Sequence, residues 1–206
     1  YKKRHRIKRK LRSTTPLDLP EQIIETEGLW VDIPQPIITV LEQGKFHFMG
    51  GIHALEHAMI ALFPLLVLCD RNDIGGISCP FHEQTEMASV FIYDGYPGGV
   101  GLAEEAYRKM ATLLQQTRET IAACTCDTGC PSCVHSPKCG SGNRPIDKRA
   151  CLALLSEILQ SSTPRCTAAE KKRPDNLLRQ AGAEGRTVDT TIRKGLDALP
   201  PRFGVY

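Results

Sequence analysis

Five cysteines fall within sixteen residues, Cys124, Cys126, Cys130, Cys133 and Cys139, in the spacing C-x-C-x3-C-x2-C-x5-C. A segment this short, interrupted by Gly129, Pro131 and Pro137, buries little apolar surface and needs another source of folding free energy. Thiolates bind a soft divalent metal at about 2.3 Å, and a structural zinc site closes its shell with four ligands. The Cys130-Pro-Ser-Cys133 pair, with turn residues beside it, is the usual way for one turn to offer two sulfurs to one ion. Disulfides fit poorly. The cysteine count of nine is odd, no secretory signal is present, and Cys124 lies too near Cys126 to pair with it. An iron–sulfur cluster is the competing metal reading, and the tight spacing favours a single zinc ion. Cys130 and Cys133 come first as ligands, then Cys126. Cys124 and Cys139 compete for the fourth place, with His135 a more distant choice. The assignment adopted is one structural Zn2+ on Cys124, Cys126, Cys130 and Cys133. Cys69, Cys79, Cys151 and Cys166 are isolated and read as ordinary thiols.

The charge of the chain is uneven. Its 206 residues carry 26 Lys and Arg against 23 Asp and Glu. Residues 1–12 hold eight basic side chains and no acid, and residues 165–206 hold nine against five. The body between them has nine basic and eighteen acidic residues, a net of −9. The N-terminal strip reads equally as a charged edge strand or as a phosphate-contacting surface. The longest apolar stretch, residues 59–69, is too short to span a bilayer and contains Pro64, so no membrane partner is expected. A cytoplasmic location is the expectation without a secretory signal. A first residue of Tyr and a basic start without a cleavage pattern suggest a piece of a longer polypeptide.

The fold class expected is α+β: short N-terminal strands, a helical body and an irregular four-cysteine zinc knuckle. Residues 1–48 read as a β-rich lead-in, with short runs at 23–26 and 29–33 between Pro16, Pro20, Pro34 and Pro36. Residues 49–160 read as a helical zinc-binding domain. Gly50 and Gly51 are expected to precede a largely buried helix over 53–68, and residues 70–76 to form a turn. A strand at 90–93, a glycine-rich turn at 95–101 and a helix over 102–122 follow, and the last helix covers 147–160 with Asp147 as its cap. Residues 161–206 read as a linker with weak helices at 176–183 and 190–199. The apolar run at 203–206 would begin a strand of a further domain.

Three other motifs bear on chemistry. His53-Ala-Leu-Glu56-His57 matches the H-x-x-E-H pattern of one class of zinc peptidase, with both histidines on one helix face. A catalytic zinc needs a third protein ligand, and no sequence feature selects Glu104, Glu105 or Glu119 for it. A structural or partner-contacting role is the better reading. The turn from Asp94 to Gly101 would free several N–H groups at a helix start, a generic anion site, but no lysine accompanies it, so a tight packing turn is favoured. Lys138, Arg144, Lys148 and Arg149 place positive charge beside the knuckle. They suit contact with a phosphate backbone, balance of four thiolates around one divalent ion, or both. No GxxxxGK[ST] loop, GxGxxG turn or DExx box is present, so no ATP chemistry and no catalytic site is assigned to these residues.

Four segments occur in a fixed order: Gly50 to His57, Tyr93 to Leu102, Cys124 to Gly140, and Asn143 to Lys148. Their series resembles the C-terminal zinc-binding region, once called domain of unknown function 1998, of superfamily-two DEAD/DEAH-box DNA helicases of the MrfA type. The resemblance covers roughly residues 20–160, and Thr26 to Trp30 resembles the segment that leads into that region. It implies a DNA-unwinding ATPase of the repair class, with ATP bound in motor lobes outside this chain. It also implies the zinc role of the cysteine cluster and a non-peptidase role for the HALEH helix. The expected function is an accessory module that braces the lobes and helps to hold single-stranded DNA. Its rival is a stand-alone zinc-dependent protein-interaction module without a nucleic-acid role, which the acidic body would suit.

Overall fold

The structure, a computed structural model, describes residues 23–161 together with the backbone of three short strands at 2–4, 11–14 and 203–205. Strands β1 (Lys2–Arg4) and β2 (Leu11–Thr14) pair antiparallel with each other. Strands β3 (Gly28–Ile33), β4 (Ile74–His82), β5 (Met87–Asp94) and β6 (Phe203–Val205) form an antiparallel sheet in the order β4-β5-β3-β6. The helices are α1 (Gln35–Gln43), α2 (Phe48–Leu66), α3 (Leu102–Arg108), α4 (Met110–Ala123) and α5 (Lys148–Ser161). The mixed α+β class expected from the sequence is what the chain adopts.

Helix α2 organises the rest. It packs against β4 and β5 and against α4 and α5. Ile52, Leu55, Met59 and Phe63 of α2 are fully buried, with Leu29 and Ile92 of the sheet and Leu113, Leu154 and Leu155 of the helices. Burial on both flanks explains why its apolar residues cover a broad face rather than a narrow stripe. α2 is long and apolar enough to cross a membrane by length and composition alone. More than half of its most apolar stretch is buried within the protein, as in the central helix of a globular core.

Several local expectations are revised, each for a physical reason. Gly50 and Gly51 lie inside α2, not ahead of it. A Cβ on Gly50 would stand 2.8 Å from the backbone nitrogen of Asp147, and one on Gly51 would stand 2.9 Å from the Cβ of Ala150. These glycines let the starts of α2 and α5 touch. Asp147 completes that junction: its N–H donates to Gly50 O at 3.1 Å, its Oδ1 caps α5 through the Ala150 N–H, and its Oδ2 accepts from the His47 N–H. Pro34 is the extended N-cap of helix α1 and Pro36 lies in its first turn, where extended chain was expected, since a fixed φ near −65° suits the first helical turn equally well. Residues 74–82, including Gly75 and Gly76, are the edge strand β4, with Pro80 tolerated on that edge. Residues 23–26 form no strand. The helix expected over 102–122 breaks at Lys109, whose Nζ donates to Leu66 O and closes an orphan carbonyl at the end of α2. The strand expected at the end of the chain is present as β6, and it joins β3 in the same sheet. The linker and weak helices expected at 162–202, and Cys166, lie outside the described residues.

Candidate metal centre

The last turn of α4 delivers Cys124, and the chain then loops through Cys126, Cys130 and Cys133 before α5 begins. The four sulfurs lie within 4.8 Å of one another. Four of the separations are 3.5 Å (Cys124–Cys126), 3.5 Å (Cys124–Cys130), 3.4 Å (Cys126–Cys133) and 3.7 Å (Cys130–Cys133). Zinc–sulfur bonds near 2.3 Å give a tetrahedron whose edges are about 3.8 Å. The sulfurs are therefore too far apart for disulfides and close to the spacing that one zinc ion requires. Together with the chemistry of four thiols, that spacing suggests zinc. Cys139, the competitor for the fourth place, stands elsewhere.

The knuckle is tied to the core by hydrogen bonds as well as by sulfur. Backbone N–H groups of Cys133, Val134 and His135 all converge on Cys130 O. The Cys130 N–H donates to Cys133 Sγ at 3.3 Å. A donor from backbone and the neighbouring Cys124 thiol bring Cys130 down to about 7, while burial pushes Cys133 upward. Val134, fully buried, anchors the loop in the core.

Lys148 is the residue whose place the sequence left between two roles. It is only 6 % exposed. Its Nζ donates to Cys124 O and Cys126 O, both at 2.6 Å, and approaches Cys126 Sγ at 3.5 Å. Its charge thus sits beside the thiols and does not face solvent. Lys138, Arg144 and Arg149 are exposed. Lys138 Nζ donates to Arg71 O at 2.8 Å, and the Arg149 guanidinium lies 5.8 Å from the Phe46 ring centre.

The glycine-rich turn is already answered from within. Asp94, 1 % exposed, accepts from the N–H groups of Val100, Leu102 and Ala103 at 2.7, 3.2 and 2.8 Å. Glu27 Oε2 accepts from the Gly101 N–H. Two carboxylates occupy the donors that a phosphate would use, so the turn serves packing, as favoured. Asp94 both caps α3 and makes the buried hydrogen bonds.

The HALEH helix face holds a second cluster. One ring nitrogen each of His53 and His57 and the sulfur of Cys139 lie within 4.8 Å of one another. The glutamates nominated as a third ligand are elsewhere: Glu104 and Glu105 pair with Arg108, and Glu119 with Gln115. Glu56 turns to the sheet instead, hydrogen-bonded to Ser78, and burial raises its carboxyl above the usual range. Burial likewise lowers His57 to about 4, so its ring is neutral at physiological pH. Burial works against ionisation of Cys139, yet hydrogen bonds led by those from Ser141 and the Asn143 N–H hold its thiol below the ordinary value. The sequence supplied the i, i+4 histidines, but the third donor is 86 residues from His53.

Comparison with known proteins matches residues 55–134 to the MrfA Zn-binding domain family. The chain is 38 % identical over 111 residues to the uncharacterized protein MJ1572.1 of Methanocaldococcus jannaschii, covering 99 % of that protein and 52 % of itself. It is 33 % identical over 120 residues to the uncharacterized ATP-dependent helicase YprA of Bacillus subtilis, covering 58 % of itself and 16 % of the relative. A crystal structure of the DUF1998 helicase MrfA bound to DNA superposes with a TM-score of 0.54 at 26 % identity, over 76 % of this chain and 20 % of that one. The chain thus spans about a fifth or less of the helicases it resembles and nearly all of the short archaeal relative.

Proposed function

The chain belongs to the MrfA Zn-binding domain family, and from that membership we propose that it is the C-terminal zinc-binding accessory module of an ATP-dependent DEAD/DEAH-box DNA helicase. In this reading Cys124, Cys126, Cys130 and Cys133 hold one structural zinc ion. Bound there, zinc supplies a cross-link that fixes an irregular loop against α4 and α5. The module braces the motor lobes and helps to hold single-stranded DNA in DNA repair, inside the cytoplasm. ATP chemistry belongs to the lobes of the parent protein.

The observation that carries the DNA part is the placement of Lys138, Arg144 and Arg149. All three are exposed on or next to the loop that follows the knuckle, within a body whose net charge is −9. Local positive charge on a rigid loop positions a phosphate backbone without reading sequence. Buried Lys148 has no part in this contact.

Fluorescence anisotropy with a labelled single-stranded oligonucleotide and its duplex tests the reading. Binding is expected to weaken with salt, and to favour the single strand. Reversing charge at Arg144 and Arg149 (R144E, R149E) should lower the slope of log affinity against log salt by about one per lost phosphate contact. Binding that ignores salt and both substitutions would instead favour the protein-interaction module.

A further inference from the structure

We propose that His53, His57 and Cys139 form a second metal site, distinct from the four-cysteine knuckle, that takes a zinc-class divalent cation with one coordination position left open. The inference goes beyond the reading above, which uses a single ion and gives these three residues no role.

The donor set is the first argument. Cys139 Sγ lies 3.4 Å from His53 Nε2, and zinc bound by one sulfur and one imidazole holds those atoms about 3.5 Å apart. The His53 and His57 rings stand edge to face, 4.3 Å between centres, one helical turn apart on α2. Nitrogen and thiolate donors in this ratio suit zinc rather than a hard cation such as magnesium or calcium.

The outer shell is the second argument, and it is independent of the first. His53 Nδ1 lies 2.7 Å from Pro145 O, and His57 Nδ1 lies 2.9 Å from Val134 O. A carbonyl can only accept, so each neutral ring carries its proton on Nδ1 and keeps the lone pair of Nε2 free. Metal-bound histidines show this arrangement almost always, because the carbonyl fixes both tautomer and ring direction. A lone thiol–imidazole hydrogen bond would need one such histidine. Here two adjacent rings are fixed the same way.

The loop that presents Cys139 is built for the purpose. Asn143, at φ 61°, accepts from the Ser136 N–H through Oδ1 at 2.7 Å and donates to Ser136 O through Nδ2 at 3.1 Å. This clamp closes residues 136–143 into a small ring. The Asn143 N–H then donates to Cys139 Sγ at 3.2 Å, and Ser141 Oγ lies 3.1 Å from the same sulfur. Hydrogen bonds to sulfur favour the thiolate that a metal requires. Three protein ligands leave a position for water or a partner's side chain, as in sites that do more than hold a fold. The cluster also touches the knuckle, since Val134 follows Cys133 directly.

The test is metal content of the whole chain after equilibration with zinc and desalting, combined with alkylation of cysteines followed by mass spectrometry. Two equivalents of zinc per chain are expected. Cys139→Ser and His53→Gln should each fall to one, with an unchanged circular dichroism spectrum, and Cys139 should resist alkylation only in the zinc-loaded wild type. A wild type holding one equivalent that Cys139→Ser retains would overturn the second site and leave the knuckle intact. One equivalent that Cys139→Ser loses would overturn the knuckle assignment instead. Rapid alkylation of Cys139 in the zinc-loaded chain would also overturn the proposal. If Cys139→Ser fails to fold, His53→Gln, which leaves every thiol in place, decides between one equivalent and two.

Discussion

The two sulfur-bearing sites of this protein are built from opposite kinds of information. Cys124, Cys126, Cys130 and Cys133 come from one loop of ten residues, and bringing their sulfurs together closes only short stretches of chain, a small entropic cost. His53, His57 and Cys139 come from a central helix and a distant loop, and they meet where α2 docks on α5 beside the knuckle. The first site helps to make the structure around it. The second depends on a structure already made. Local sites hold a fold, whereas assembled sites can report on whether that fold is present.

That contrast can be broken or sharpened by substitution. The largest effect belongs to the knuckle. Cys133→Ser should release its zinc and expose amides of residues 124–143 to hydrogen exchange, because zinc binding and folding of such a loop are one process. Retention of zinc and protection would mean that apolar burial of Val134 suffices. Lys148→Met comes next. It leaves Cys124 O and Cys126 O without their charged donor, at a cost on the order of 2–3 kcal/mol in urea denaturation, and zinc affinity should fall with it. Asn143→Ala should be milder, about 1–2 kcal/mol from the lost clamp and the positive φ. It should disturb Cys139 yet leave the four-cysteine zinc in place, and loss of both metals together would show that the two sites are one cooperative unit. Arg149→Ala should cost about 0.5 kcal/mol in stability, the scale of an exposed cation–π contact, while weakening DNA binding more visibly.

The same contrast explains what was legible in the sequence. The knuckle was visible because its spacing is its geometry. Lys148 was half visible: its charge near the thiols was evident, but only the fold shows that burial commits it to Cys124 O and Cys126 O and withdraws it from the surface. Asp147 as the α5 cap was readable, since capping is a local event. Its bond to Gly50, and so the reason for two glycines inside α2, was not, because that contact spans nearly a hundred residues. Pro34 and Pro36 suit extended chain and a helix start alike, and packing of Ile37 and Leu41 into the core decides for α1. Gly75 and Gly76 looked like a turn for want of side chains. They lie in β4 because Tyr93 and Ile60 occupy the space their side chains would need. The third donor to the histidine pair was hidden for the same reason, being fixed by docking and not by spacing.

Zinc K-edge X-ray absorption on the Cys139→Ser chain tests the central claim most directly, since among the described residues that substitution leaves the knuckle as the one complete cluster. The account predicts a single shell of four sulfur atoms at about 2.3 Å. A shell containing nitrogen or oxygen neighbours near 2.0 Å, or no bound zinc, would contradict it.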